Sequence, residues 1–224
     1  MRSKQHTEAI STQARHAMIA GQIRPNKVSD RRVVDAMRAV PRECFLPKSL
    51  RGVAYLDEDL EISPGRYLME PMVFARLVME AEIRPTDAVL DVGCLTGYST
   101  AVLARLGEAV VGVEAAAELA GRAGETLAAQ GVDNAVIVES SLALGAPKQG
   151  PFDVIVIEGA VEMIPEALIE QMAEGGRLVC VRQAEGRSQG YLLTKAGGAT
   201  GGREFCDAFT PLLPGFAAPR GFRF

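Results

Sequence analysis

The chain has 224 residues, of which 48% are hydrophobic and 23% charged, a composition that predicts one domain with a sizeable core. Its 28 acidic residues outnumber its 24 basic ones, for a net charge of −4, so the composition argues against nucleic acid as a partner. No uncharged apolar run of about 18 residues and no signal-peptide pattern appears, so we expect a cytoplasmic protein without a membrane partner.

Metal and imidazole chemistry are also disfavoured. The four cysteines lie far apart with no C-x-x-C motif, and the only two histidines are both near the start of the chain. We therefore expect free thiols, no metal site, and no hydrolase built on a Ser-His or Cys-His pair.

The first third of the chain predicts two helices on either side of an irregular segment. After Ser29, a good N-cap residue, residues 30–40 carry apolar side chains at helical spacing. Residues 41–70 are rich in proline and glycine and predict an extended loop, with at most a short strand around Leu60. Pro71 then begins a second amphipathic helix.

After residue 87, short apolar runs alternate with helical segments, which predicts a doubly wound parallel sheet. The predicted strands are 88–92, 109–113, 135–138, 152–157 and 177–181, and the predicted helices are 98–105, 116–130 and 165–172. Two further strands, 190–194 and 204–209, flank a glycine-rich segment without a helix and should pair antiparallel. This α/β pattern of five parallel strands plus a C-terminal hairpin resembles the seven-stranded, Rossmann-like sheet of S-adenosylmethionine-dependent methyltransferases.

The chain is expected to form a single compact unit. Residues 1–85 would be an N-terminal cap with a substrate loop, packed on a core of residues 86–210. Residues 211–224 form a tail with three phenylalanines and no periodicity. Such a tail packs on its own domain or frays, or alternatively docks a partner.

The turn after the first core strand is the main candidate binding site. Gly93 and Gly97 flank Leu95 between a strand and a helix, a spacing closer to the G-x-G-x-G of S-adenosylmethionine enzymes than to the G-x-G-x-x-G of dinucleotide enzymes. Glu114 ends the next strand, where a carboxylate can accept hydrogen bonds from both ribose hydroxyls. The alternatives are that the glycines only make a tight turn and that Glu114 is a solvated strand-end acid.

Several segments of the chain resemble a known family, the protein-L-isoaspartate O-methyltransferases. The matching segments are Ala36–Pro47, Ala54–Asp57, Leu60–Ile62, 89–101, 150–153 and 165–181. The resemblance implies methyl transfer from S-adenosyl-L-methionine to isoaspartyl carboxylates in damaged proteins, with a protein or peptide as substrate. The oligomeric state is left open. A carboxylate is ionised at neutral pH, so this reaction requires positioning rather than a general base.

Three of the candidate site residues differ from the family pattern. Substrate would contact Met69 and Glu70, with Glu158 facing the same crevice; the cofactor would contact Asp91, Gly93, Leu95, Gly97, Glu114 and Ser141. Met69 stands where the family has a substrate-contacting serine, Leu95 replaces a glycine, and Ser141 replaces an aspartate that serves the adenine. Because the Met69 thioether cannot donate a hydrogen bond, Arg66 and backbone N–H groups are expected to hold the substrate anion.

Several alternatives remain open for these residues. Glu70 and Glu158 could be exposed loop acids, and Asp91 could hold loop backbone rather than ligand. The departures at Met69, Leu95 and Ser141 leave a second hypothesis, a catalytically lapsed or substrate-altered member that acts as a cofactor- or protein-binding module. A nicotinamide oxidoreductase is disfavoured by the glycine spacing and by the lack of an acid–base residue.

Overall fold

The computed structural model describes residues 2–219 of the chain, with side chains from residue 9 onward. Its α-helices are α1 (Arg2–Met18), α2 (Arg31–Ala39), α3 (Pro71–Glu80), α4 (Tyr98–Leu103), α5 (Ala117–Ala129) and α6 (Glu166–Glu170). Its strands are β1 (Leu60–Ser63), β2 (Arg66–Leu68), β3 (Ala88–Val92), β4 (Ala109–Glu114), β5 (Ala135–Glu139), β6 (Phe152–Val161), β7 (Met172–Ala184), β8 (Arg187–Ala196) and β9 (Ala199–Asp207).

Seven of the strands form one mixed sheet in the order β5-β4-β3-β6-β7-β8-β9. Strands β3 to β7 run parallel, whereas β8 pairs antiparallel with β7 and β9 antiparallel with β8. The predicted fold class, five parallel strands plus a C-terminal hairpin, is confirmed. The remaining strands, β1 and β2, make a separate two-stranded hairpin.

The N-terminal region differs from the prediction in two ways. Helix α2 is capped by Asp30, whose side chain accepts a 2.7 Å hydrogen bond from the Arg32 N–H, and not by Ser29. Helix α1, followed by a π-helical turn at Ile19–Ile23, was not predicted. Its sequence is mostly polar, so the local apolar periodicity that identifies a helix is weak there.

The C-terminal strands are longer than predicted. Strand β7 already begins at Met172, which pairs with Phe152, so α6 is reduced to Glu166–Glu170. The glycine-rich segment is mostly strand rather than loop, because only its first glycines form the turn and residues 199–202 pair with β8. A Cβ on Gly202 would lie 1.8 Å from the Tyr191 hydroxyl, so a larger residue there would have to displace the Tyr191 side chain.

The hydrophobic core joins the N-terminal third to the sheet. One buried cluster contains Met37, Phe45 and Phe74 together with Val89 of β3 and Val154 of β6. Residues 41–70 are thereby held near the carboxyl ends of the central strands, where parallel sheets bind ligands. No helix in the described part of the chain is long and apolar enough to cross a membrane.

The beginning of the tail is packed on the sheet. Residues Pro211 and Leu213 pair through their backbones with Ala160 of β6, at 3.0 and 2.8 Å. Phe216 is buried, with 1% of its surface exposed. The last two phenylalanines lie outside the described residues.

Candidate functional site

The turn between β3 and α4 has a left-handed backbone at three alternate positions. The φ angles are +87° at Gly93, +53° at Leu95 and +92° at Gly97. A Cβ on Gly97 would meet Leu127 and Ala123 at 3.3–3.4 Å, so that glycine is required by packing as well as by conformation. Leu95 adopts the same conformation at a cost of about 1–2 kcal/mol, and its side chain is buried.

Glu114 lies beneath this turn and is fully buried. Its carboxylate forms a bidentate ion pair with Arg66, with Nη1–Oε1 and Nη2–Oε2 distances of 2.5 and 2.8 Å. It also accepts hydrogen bonds from the backbone N–H groups of Leu95, Ala115 and Ala116 at 2.9–3.1 Å. The alternative of a solvated strand-end acid is therefore wrong.

Arg66 does not have the position that the sequence suggested. It was expected to hold the substrate anion, yet its guanidinium binds Glu114 and donates a 3.2 Å bond to the Gly93 carbonyl. Only 8% of its side chain is exposed. The two partners are 48 residues apart in the chain, and no local pattern indicates that they meet.

Asp91 faces helix α4. Its Oδ2 accepts hydrogen bonds from Ser99 Oγ at 2.7 Å and Thr100 Oγ1 at 2.6 Å. Complete burial raises its pKa to about 7, an effect that the two hydroxyl groups oppose and the Glu114 charge increases. These contacts attach β3 to α4, which favours the structural alternative for Asp91.

Ser141 lies after β5 and is exposed. Its carbonyl accepts hydrogen bonds from the Leu144 and Gly145 N–H groups at 3.0 and 3.1 Å, so it begins a turn. The neighbouring Ser140 N–H donates to the Glu114 carbonyl at 3.1 Å. The backbone at this point lies beside the end of β4. The serine side chain is short, so its hydroxyl group stays close to the backbone.

Glu158 is a buried acid within β6 and not a residue at the strand end, because β6 continues to Val161. Only 4% of it is exposed, and its Oε1 has no hydrogen-bond partner among the described residues. Burial raises the pKa of Glu158 well above its usual value, and the Asp91 charge raises it further, whereas Arg42 opposes the shift. The alternative of an exposed loop acid is wrong for Glu158.

Arg42, which the sequence did not single out, is completely buried beside the 67–70 segment. Its Nε donates to the Ala54 carbonyl at 2.8 Å and its Nη2 to the Met69 carbonyl at 2.7 Å, while the guanidinium stacks 4.7 Å from the centre of the Tyr98 ring. Burial lowers its pKa. The Tyr98 hydroxyl group opposes this shift, so the guanidinium interacts with Tyr98 as well as with the two carbonyl groups.

Met69 and Glu70 differ in exposure. Met69 is 1% exposed and packs in the main hydrophobic cluster. Glu70 is partly exposed, and its N–H donates to Asp59 Oδ1 at 3.0 Å. Burial, followed by the charges of Asp57 and Asp59, raises the pKa of Glu70 to about 7.

The structure therefore brings some of the expected residues together and separates others. Gly93, Leu95 and Glu114 form one connected group with Arg66. Met69 is linked to Arg42 instead, through its carbonyl group. Within the described residues, no group of three or more His, Cys, Asp or Glu side chains could hold a metal ion.

Comparison with known proteins gives matches over most of the chain. The family model described as protein-L-isoaspartate(D-aspartate) O-methyltransferase matches residues 13–202. A protein-L-isoaspartate O-methyltransferase 2 from Anaeromyxobacter sp. is 41% identical over 190 residues, which covers 85% of this chain and 78% of that protein. A protein-L-isoaspartate O-methyltransferase from Methylorubrum extorquens is 39% identical over 205 residues, covering 91% and 90%.

Two solved structures have the same fold. A protein-L-isoaspartate O-methyltransferase superposes with a TM-score of 0.79 at 26% identity, over 90% of this chain and 66% of that one. A Plasmodium falciparum structure, described as a putative protein-L-isoaspartate O-methyltransferase in complex with S-adenosyl-L-homocysteine, has a TM-score of 0.76 at 21% identity. It covers 88% of this chain and 96% of that one.

Proposed function

The chain belongs to the protein-L-isoaspartate(D-aspartate) O-methyltransferase family, and we propose that it transfers a methyl group from S-adenosyl-L-methionine to isoaspartyl carboxylates in proteins or peptides. The single observation that carries this function is the family match over residues 13–202. The sheet order and the acid at the end of β4 agree with it.

The described contacts leave no free acceptor on Glu114 for the ribose while Arg66 is bound to it. Glu114, proposed here to bind the ribose, already accepts five hydrogen bonds from Arg66 and three backbone N–H groups. The Leu213 side chain lies against the glycine turn, 3.4 Å from where a Cβ of Gly93 would be.

The substrate side requires donors for an anion and exclusion of water, but no general base, because the isoaspartyl carboxylate is already ionised at neutral pH. We assign this task to residues 67–70. With its pKa raised to about 7, a protonated Glu70 is able to donate a hydrogen bond to a carboxylate. The Arg42 guanidinium is a second candidate group on this side, since its Nη2 already holds the Met69 carbonyl.

The remaining assignments follow from composition and chain order. We propose that residues 1–85 act as the cap with the substrate loop, that 86–210 form the cofactor-binding core, and that Gly97, Asp91 and Ser141 support the cofactor side. We also propose a cytoplasmic location and no nucleic-acid partner, in line with the net charge of −4.

A methyl-transfer assay tests the function. The intact protein is incubated with methyl-labelled S-adenosyl-L-methionine and two peptides that differ only in isoaspartate against aspartate. We expect label in the isoaspartyl peptide alone. The label should be released by mild base, because a methyl ester of a carboxyl group hydrolyses readily. Equal labelling of both peptides, or of neither, would contradict the proposal.

A second candidate function is supported by one specific observation. The Arg66–Glu114 pair fills the position that ribose hydroxyls would take, as expected of a member that has lost catalysis and acts as a binding module. Absence of methyl transfer together with loss of cofactor binding would favour this candidate as a protein-binding module.

Met69→Ser is expected to raise methyl transfer while lowering stability. A hydroxyl group can donate to the substrate carboxylate, and each 1.4 kcal/mol of regained transition-state contact gives about tenfold in rate. Because the Met69 side chain is buried in the core, its loss should cost about 2–4 kcal/mol of unfolding free energy. Turnover of the isoaspartyl peptide and urea denaturation measure the two effects.

The control for this variant is Met72→Ser on helix α3, which removes a partly buried methionine three residues away. It should lower stability without raising turnover. A rise in turnover with both variants would show that looser packing, and not the hydroxyl group, is responsible.

A further inference from the structure

Arg66 begins β2 directly after the turn of the β1–β2 hairpin, in which Gly65 has a φ of +70°. The hairpin is not hydrogen-bonded into the seven-stranded sheet. The Arg66 side chain extends from it to two points of the crevice, the Glu114 carboxylate and the Gly93 carbonyl. One guanidinium thus fixes the hairpin over the turn that follows β3.

The acceptor capacity of Glu114 is fully used in this arrangement. Oε1 accepts from Arg66 Nη1 and from the N–H groups of Ala115 and Ala116, and Oε2 accepts from Arg66 Nη2 and the Leu95 N–H. A carboxylate offers about four lone-pair sites. The three amides are fixed by the backbone, so another ligand can reach Glu114 only in place of the guanidinium.

We propose that Arg66 is an internal competitor for the nucleoside, so that S-adenosyl-L-methionine binds only when the guanidinium leaves Glu114. A guanidinium fork presents two parallel N–H donors to a carboxylate, and the vicinal hydroxyls of ribose present two O–H donors to the same two oxygens. The inference rests on the proposed function, which assigns Glu114 to the ribose.

A second segment covers the same place independently. The backbone of Leu213 is held on the strand end by its N–H bond to the Ala160 carbonyl at 2.8 Å. Its side chain would lie 2.9 Å from a Cβ on Gly159 and 3.4 Å from a Cβ on Gly93. Two segments that are distant in sequence, the hairpin and residues 211–216, therefore meet over the glycine turn.

The Arg66 side chain, and not the whole hairpin, is the part that has to move. The hairpin is short, with strands of four and three residues, but Leu60 and Leu68 anchor it in the main hydrophobic cluster. Without the Arg66–Glu114 pair, the hairpin loses its ionic attachment to the crevice. If Arg66 and the ribose compete for Glu114, removing the guanidinium should increase the affinity for the cofactor.

Calorimetric titration with S-adenosyl-L-homocysteine and with S-adenosyl-L-methionine tests the proposal. In Arg66→Gln we expect Kd to fall at least tenfold for both ligands relative to wild type, with Arg66→Lys between, since lysine keeps the charge but not the two-pronged geometry. The matched control is Arg177→Gln, which removes the partly buried Arg177–Asp87 pair at the opposite end of the strands. Its Kd should equal that of wild type.

The two ligands separate competition from simple charge. S-adenosyl-L-methionine carries a sulfonium and S-adenosyl-L-homocysteine a neutral thioether, so a purely electrostatic role of Arg66 would tighten only the sulfonium ligand. That result would overturn the proposal, as would equal affinities in wild type and both Arg66 variants, or no binding by any of them. If Arg66→Gln does not fold, Arg66→Lys is compared with wild type by the same criteria.

Binding and turnover fail separately. Tighter binding by the Arg66 variants without methyl transfer to an isoaspartyl peptide would refute the proposed function and leave the competition intact. Methyl transfer with the same cofactor KM in wild type and Arg66→Gln would support the proposed function and refute the competition.

Discussion

Glu114→Ala is expected to lower the unfolding free energy by about 3–5 kcal/mol, the cost of removing one partner of a buried ion pair. The substitution leaves the Arg66 guanidinium without its carboxylate in a site where 8% of the side chain is exposed. It also removes the acceptor of three backbone N–H groups. Urea denaturation at neutral pH measures the change.

Glu139→Ala is the matched control for this substitution. Glu139 ends β5 and is the register partner of Glu114 on the adjacent strand, but its side chain is exposed. Its loss should change stability by no more than about 0.5 kcal/mol. Similar losses in the two variants would contradict the special role of Glu114 in holding the glycine turn and the hairpin together.

The second large effect is a loss of stability as the pH rises from about 4 to about 7. Burial raises the pKa of Asp91 to about 7, against about 3.9 for an unfolded aspartate. Between these values the folded chain keeps a proton that the unfolded chain releases, so unfolding becomes easier as pH increases.

Denaturation midpoints across this pH range test the effect in wild type and in Asp91→Asn, which should flatten the decline. Glu158, whose pKa burial also raises, adds to the decline in the same direction. Asp153→Asn is the control, because Asp153 accepts a 2.9 Å hydrogen bond from the Ala88 N–H beside the same strand and should leave the decline in place. An unchanged slope in Asp91→Asn would show that Asp91 is not its source.

The crevice contains three buried carboxyl groups that have different partners. Asp91, Glu114 and Glu158 place three buried carboxyl groups at or near the carboxyl ends of three adjacent strands. Glu114 has a full counter-ion and Asp91 has two hydroxyl donors on Oδ2, whereas Asp91 Oδ1 and Glu158 Oε1 have no hydrogen-bond partner among the described residues. Each group is therefore stabilised differently, and only Glu114 is paired with an arginine by hydrogen bonds.

Parts of this arrangement could be predicted from local sequence. The bounds of β3 were predicted exactly and those of β4 and β5 to within one residue, because buried parallel strands are continuous apolar runs ended by turn residues. The glycine turn and the acid after β4 were also located, since their spacing reflects a strand–turn–helix unit of the chain. Leu95 was identified from the sequence as a replacement for a glycine, and its φ of +53° lies in the left-handed region that favours glycine.

The amino-acid sequence by itself determined the α/β sheet, the family and the position of Glu114, because apolar periodicity, turn residues and motif spacing are properties of neighbouring residues. Only the tertiary structure decided what Glu114 contacts. Arg66 is 48 residues from it, and Leu213 is 120 residues from Gly93. Contacts over such separations depend on how the hairpin and the C-terminal segment pack on the sheet, and burial then fixes the ion pairs and the raised acid pKa values.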